Sequence, residues 1–134
     1  MIVVDTSAWI EFLRASGSAV HLTLRRLLLE RARLAVTEVV VMELLAGARS
    51  HSDLELVRSR LVTFPVLPLG GLAGFESAAA LYRSCRAAGE TIRSLTGCLV
   101  AAPAIEAGAT LLHSDRDFEA LARHTPLEIE PLAA

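Results

Sequence analysis

Residues 1–13 read Met1-Ile2-Val3-Val4-Asp5-Thr6-Ser7-Ala8-Trp9-Ile10-Glu11-Phe12-Leu13. The β-branched run Ile2-Val3-Val4 suits a strand buried on both faces, the habit of a parallel sheet. Asp5, Thr6 and Ser7 are all good N-cap types and predict a short helix through Trp9 to Leu13. A strand that ends on such caps and passes straight into a helix is half of a βαβ unit. The same order recurs near the other end of the chain. Thr110-Leu111-Leu112 reads as a strand, His113-Ser114-Asp115 ends it, and a short helix follows over 116–123.

Between these two units, short apolar runs alternate with helical segments. Leu34-Ala35-Val36 and Val66-Leu67 read as strands, and Leu127-Glu128-Ile129 as an edge strand. The periodicity predicts helices over 19–33, 38–48, 52–63, 72–88 and 97–107, with Gly89 and Gly108 as stops. This alternation is the signature of an α/β fold with a short parallel sheet of about four to five strands.

The chain has 134 residues, which predicts one domain over 1–134 on the usual ~100–200 residues per domain. Hydrophobic residues make up 53% and charged residues 21%, which excludes a disordered chain. Aromatics at 4% are too few for a base-stacking platform. The formal net charge of −2 argues against a non-specific coat for duplex nucleic acid, which is normally basic. No lysine occurs and all 13 basic residues are Arg, so Schiff-base, P-loop and pyridoxal chemistry are excluded. Cys85 and Cys98 fit neither CxxC nor zinc spacing and read as reduced thiols. The N-terminus lacks a basic leader region, and no run approaches the ~20 apolar residues of a membrane span, so the expected location is cytoplasmic.

The carboxylates carry the chemistry. The chain has only four Asp: Asp5, Asp53, Asp115 and Asp117. Asp5, Asp115 and Asp117 fall at or just past strand ends, where open α/β sheets bind ligands. If the first and fourth strands are neighbours, Asp5 and Asp115 meet in one cleft. Glu43 sits within Val39-Val40-Val41-Met42-Glu43-Leu44-Leu45, on a helix expected to be apolar nearly all round, where an unpaired charge on a dry face is costly. Each acid also has a plainer reading: Asp5, Asp115 and Asp117 as helix caps, and Glu43 as a side chain that reaches solvent. Together they repel unless protonated or bridged by a cation. Oxygen donors without His or Cys favour Mg²⁺ or Mn²⁺, and such a site suits phosphodiester hydrolysis.

Four segments in this order resemble a known family: DTSAWIEFLR from Asp5, VVVMELLAGAR around Glu43, GETIRSLTGCLVAA from Gly89, and GATLLHSDRDFEALAR from Gly108. The chain resembles the PIN domain, and more closely the VapC toxins of bacterial toxin–antitoxin pairs, from residue 2 to about 130. The resemblance implies a three-layer α/β/α domain. It implies a Mg²⁺- or Mn²⁺-dependent endoribonuclease acting on RNA. It further implies a homodimer, held in check by a VapB-type antitoxin in a hetero-oligomer. Asp5, Glu43 and Asp115 match the family's first, second and fourth acids, and are the implied metal ligands. Asp117 matches an accessory catalytic acid. Ser7 matches a hydroxyl that holds the first acid, and Arg93 a basic residue near the scissile phosphate.

One departure stands out. The family's third acid opens the helix before a segment that here reads Gly97-Cys98-Leu99-Val100-Ala101-Ala102. Gly97 takes its place, and Ser94 and Thr96 offer only hydroxyls. Thr96 could still cap the helix, and Pro103 within it demands a kink or a later start. An engineered inactivation, a natural loss of activity and a variant with another ligand all remain open for Gly97. Two function classes follow: a ribonuclease with impaired metal binding, or a non-catalytic module that binds antitoxin and autoregulates its operon. The apolar helices Val20–Leu29 and Val39–Leu45 could groove an antitoxin helix or simply pack the core. Arg25, Arg26, Arg31 and Arg33 could track RNA or form a solvated face. His113 reads as structural, and His21, His51 and His124 have no constellation around them. A phosphatase using Asp5 as nucleophile is disfavoured, because no second Asp follows two residues on and no lysine steadies the phosphoryl group.

Overall fold

Val3 and Val4 are fully buried in the first strand, as a strand covered on both faces requires. The computed structural model describes residues 1–133. The elements run β1 (Ile2–Val4), α1 (Thr6–Leu13), α2 (Ala19–Leu29), β2 (Leu34–Thr37), α3 (Glu38–Ala46), α4 (His51–Leu61) and β3 (Val66–Leu67). They continue α5 (Gly71–Ala87), α6 (Leu95–Glu106), β4 (Thr110–Leu112), α7 (Asp117–His124) and β5 (Glu128–Ile129).

The five strands form one sheet in the order β3-β2-β1-β4-β5, and every pair is parallel. Val3 faces Ala35 on one side and Leu111 on the other, and Val4 faces Leu112. From β1 the chain winds outward through β2 to β3, then returns to the other flank of β1 as β4 and β5. The order therefore reverses between β1 and β4. The carboxyl ends of strands at such a switch point bound the natural ligand cleft of an open α/β sheet. The fold is α/β, with helices on the sheet as expected. Its deepest core joins Val3, Val4, Val36, Leu111 and Leu112 of the sheet to Leu24, Val40, Val100 and Leu121 of the helices.

Two boundaries and one burial pattern depart most from the sequence expectation. α2 ends at Leu29 rather than at 33, because Arg31 adopts φ 54°. The amides of Arg31 and Ala32 then donate to the carbonyls of Leu28 and Leu27, a Schellman closure in which the left-handed residue is usually Gly. α6 begins earlier than 97: Ser94, not Thr96, is its N-cap, and its Oγ accepts from the Thr96 amide at 3.1 Å. Pro103 therefore lies in the helix interior, buried, where the Leu99 carbonyl has no i+4 donor. A later helix start is not how the chain accommodates it. α3 is not apolar on a dry face either: Val40 alone is fully buried there, and Met42 is 60% exposed.

Gly74, in the first turn of α5, is a position that only Gly fills. A Cβ there would overlap the Leu69 backbone carbonyl, and backbone moves less readily than a side chain tip. Gly74→Ala is expected to lower unfolding free energy by about 1–3 kcal/mol through overpacking, read as a lower denaturation midpoint at unchanged m-value.

Candidate active site

Asp5 follows β1 and serves as the N-cap of α1. The plain reading of this residue as a cap is realised, and the carboxylate also lines the cleft described below. Its Oδ2 accepts from the Ser7 amide at 2.9 Å and from Ser7 Oγ at 2.6 Å. Those bonds leave Oδ1 free of Ser7. Asp5 is 6% exposed, and burial pushes its pKa up. The Ser7 hydrogen bonds oppose that shift, and the charge of Asp115 adds to it.

Ser7 does a second job. Its Oγ accepts from the Ser114 amide at 2.9 Å, across 107 residues of chain. One hydroxyl thus ties the β1–α1 corner to the β4–α7 corner. Thr6 ties the first corner to α3 in the same way, with Oγ1 donating to Glu43 Oε1 at 2.8 Å. Glu43 is half-buried and paired, so the cost of an isolated charge does not arise.

These groups line one cleft of about 230 Å³, with Ser94, Thr96, Gly97, Val100, Asp115, Asp117 and Phe118 on its other walls. Asp5, Glu43, Asp115 and Asp117 are therefore brought together, along with Ser7. Gly97 lies in the cleft wall, and a Cβ there would stand 3.6 Å from the Phe118 ring, an ordinary contact. The wall can accept a Cβ at 97.

Arg93 reaches the same acids from the α5–α6 loop. Its amide donates to Asp117 Oδ2 at 3.1 Å and its Nε to Asp117 Oδ1 at 3.5 Å. Its Nη2 donates to Asp115 Oδ1 at 3.2 Å. The Asp117 amide also donates to Asp115 Oδ1, at 3.0 Å. Beneath them, His113 Nδ1 accepts from the Asp115 amide at 3.1 Å, so Nε2 carries the proton toward Glu119 Oε1 at 3.1 Å. His113 is a structural prop, in line with the sequence reading. Reading by residue type missed Thr6 and Ser114, because a threonine and a serine beside acids look like ordinary caps. Their partners lie 37 and 107 residues away.

Among the described residues, no three His, Cys, Asp or Glu side chains close around a point as a ready metal cage. What the cleft offers is carboxylate oxygen from Asp5, Glu43, Asp115 and Asp117, whose mutual repulsion a hard cation would relieve. That donor set fits a cation of the Mg²⁺ or Mn²⁺ kind, which takes one or two carboxylates and keeps several waters. It does not fit zinc. A second hollow, largely apolar, runs between α1, α3 and α4, with Ile10, Leu13, Leu44, Leu56 and Val57 on its walls and Asp53 at its rim. It meets the acid cleft at Thr6, Ile10 and Glu43. Cys85 and Cys98 are free and buried, and burial pushes the Cys98 thiol up to about 11. Arg25, Arg26, Arg31 and Arg33 lie on α2 and just beyond it, off the acid cleft, with Arg26 paired to Glu30.

A model of the PIN domain family matches residues 2–124. Ribonuclease VapC11 of Mycobacterium tuberculosis is 47% identical over 133 residues, covering 96% of each chain. The chain thus belongs to the PIN domain family and, within it, to the VapC ribonucleases. Solved structures share the fold at lower identity. VapBC2 of Rickettsia felis, bound to a DNA fragment from its promoter, superposes with TM-score 0.73 at 18% identity over 97% of this chain and 98% of that one. The sarcin–ricin loop cleaving toxin VapC20 of Mycobacterium tuberculosis superposes with TM-score 0.67 at 21% identity over 98% of this chain and 100% of that one.

A raised carboxyl pKa means that folding favours the protonated form. Asp5 therefore costs no stability below its unfolded pKa of 3.8, and its penalty grows as pH rises from there to the shifted value and stays constant above it. Asp5→Asn keeps a capping side chain without the charge. In EDTA at pH 7 it is expected to melt higher than the parent chain, and the two should converge as pH falls toward 4. A lower melting temperature for Asp5→Asn at pH 7 would contradict this account of the cleft.

Proposed function

We propose that this chain is a metal-dependent endoribonuclease of the VapC type, hydrolysing RNA phosphodiester bonds in the cleft between Asp5 and Asp115. One observation carries the reading. A buried carboxylate just past β1 and a second past β4 line one cleft at the switch point of a parallel sheet. Asp5 and Asp115, with Glu43 beside them, would hold Mg²⁺ or Mn²⁺. When bound, such an ion supplies charge neutralisation at the phosphate and makes water easier to deprotonate. Ser7 keeps Asp5 in place with two hydrogen bonds, and Arg93 offers a guanidinium fork to a phosphate oxygen. Asp117 holds Arg93 rather than the cleft centre.

Gly97 makes this a weak version of such a site. Without a carboxylate at 97, divalent affinity and turnover are expected to fall below those of a Gly97→Asp version, whose side chain has room beside Phe118. A second reading, a non-catalytic partner of antitoxin, draws on a different feature. The apolar hollow between α1, α3 and α4 suits the apolar face of a VapB-type antitoxin helix, with Leu13 and Leu56 more than half exposed along it. Both readings take residues 1–134 as one domain that forms a homodimer and a hetero-oligomer with antitoxin. They place it in the cytoplasm.

The deciding experiment is RNA cleavage by the parent chain, Asp115→Asn and Gly97→Asp, each with Mg²⁺, with Mn²⁺ and with EDTA. We expect EDTA to abolish all cleavage, Asp115→Asn to lose at least about 100-fold, and Gly97→Asp to exceed the parent. Cleavage that survives EDTA would overturn the metal-dependent reading. Cleavage by Gly97→Asp alone would make the parent chain a binding module in practice.

A further inference from the structure

We propose that Arg93 is a built-in counter-cation of the acid cleft, which competes with the divalent ion for Asp115 and passes to an RNA phosphate when the ion binds. The inference rests on the ribonuclease reading and adds a mode of regulation to that site.

Among the described residues, the walls of the acid cleft carry Asp5, Glu43, Asp115 and Asp117 and no basic side chain. Arg93 comes in from the neighbouring hollow, which it lines together with Arg116 and Arg123. Arg123 is already bound to Glu90, as is His124, and together they hold the Glu90 carboxyl down at about 2. Among the described residues, Arg93 is the one basic side chain bonded to the acids of the cleft.

The attachment of Arg93 is two-part. Its backbone amide is held by Asp117, which is 8% exposed and directs both carboxylate oxygens at Arg93. This half anchors the loop. Its Nη2 contact to Asp115 Oδ1 is the outer half, between side chains 62% and 39% exposed. An ion pair that wet is weak and readily exchanged. The guanidinium can therefore leave Asp115 while the loop stays docked on Asp117.

Charge then dictates the order of preference. Asp115 Oδ1 already accepts from Nη2 and from the Asp117 amide. A divalent ion held by Asp5 and Asp115 would share Asp115 with a guanidinium of like charge. Each cation weakens the other's hold on Asp115. Once freed, the guanidinium remains tethered beside the cleft, and a phosphodiester offers it a planar pair of oxygens. Ion and RNA should thus bind with positive coupling, and by reciprocity each raises the affinity for the other. With Gly97 in place of an acid, fewer negative charges share the work, so the Arg93 charge weighs more.

The test is a Mn²⁺ titration without RNA, read by the electron paramagnetic resonance signal of the free ion. It uses the full chain, Arg93→Gln and Arg93→Lys, with melting curves to check folding. Removal of the charge in Arg93→Gln is expected to tighten Mn²⁺ by about five- to tenfold, the range of a modest coupling. Arg93→Lys, which keeps the charge, is expected to stay near the parent value, whereas a merely structural role would leave both variants alike. In a second arm, Mn²⁺ should tighten a labelled 2′-O-methyl oligoribonucleotide on the parent chain and lose that effect in Arg93→Gln. Unchanged or weaker Mn²⁺ binding in Arg93→Gln overturns the proposal. Tighter Mn²⁺ in Arg93→Gln with no RNA cleaved by any chain would leave the counter-cation standing and sink the ribonuclease reading instead.

Discussion

The site depends on the parallel pairing of Ile2–Val4 with Thr110–Leu112. That ladder puts the ends of two strands from opposite ends of the chain side by side, and the Asp5 amide continues it by donating to the Leu112 carbonyl at 2.9 Å. The Ser7 hydroxyl then fixes what the ladder brings together. It donates to Asp5 and accepts from the Ser114 amide, so Asp5 and the loop carrying Asp115 share one atom. Bonds of this kind to a charged acceptor are among the stronger ones in proteins. Loss of the Ser7 oxygen would unfasten both corners at once.

The price of this arrangement is electrostatic. A nearly buried Asp5 faces a second carboxylate, and burial sets the direction of its shift. A fold selected for stability alone would place an uncharged cap there. Groups held against their solvation preference cluster where function needs them. The surroundings show how the charge is managed. Thr6 satisfies Glu43, Arg93 satisfies Asp117, and His113 props the turn at Asp115. A Cβ at position 97 would meet the Phe118 ring at 3.6 Å, an ordinary contact, so the cleft wall there has space beyond that of a glycine.

Much of the architecture was legible along the chain, because buried parallel strands and glycine stops leave plain local marks. Gly89 and Gly108 close α5 and α6 with left-handed φ of 84° and 65°, as their positions suggest. The misread boundaries share a cause. Arg31 ends α2 in a conformation normally given to Gly, so nothing in its identity marks the stop. Ser94 rather than Thr96 caps α6, and both are good cap types, so local propensity could not choose. Glu43 looked stranded on a dry helix because its partner, Thr6, is remote in sequence.

The sequence by itself determined the fold class, the order of the elements and the identity of the acids at the strand ends. Those follow from β-branching, helical periodicity and cap chemistry, which act over a few residues. Only the tertiary structure decided which oxygens meet. It made Asp117 the holder of Arg93, gave Ser7 its bond to Ser114, and left the face of α3 open beside α1 and α4. Such pairings join residues tens to a hundred positions apart, and their geometry is set by the packing of whole elements on the sheet. Local chemistry names the candidates; the strand order chooses among them.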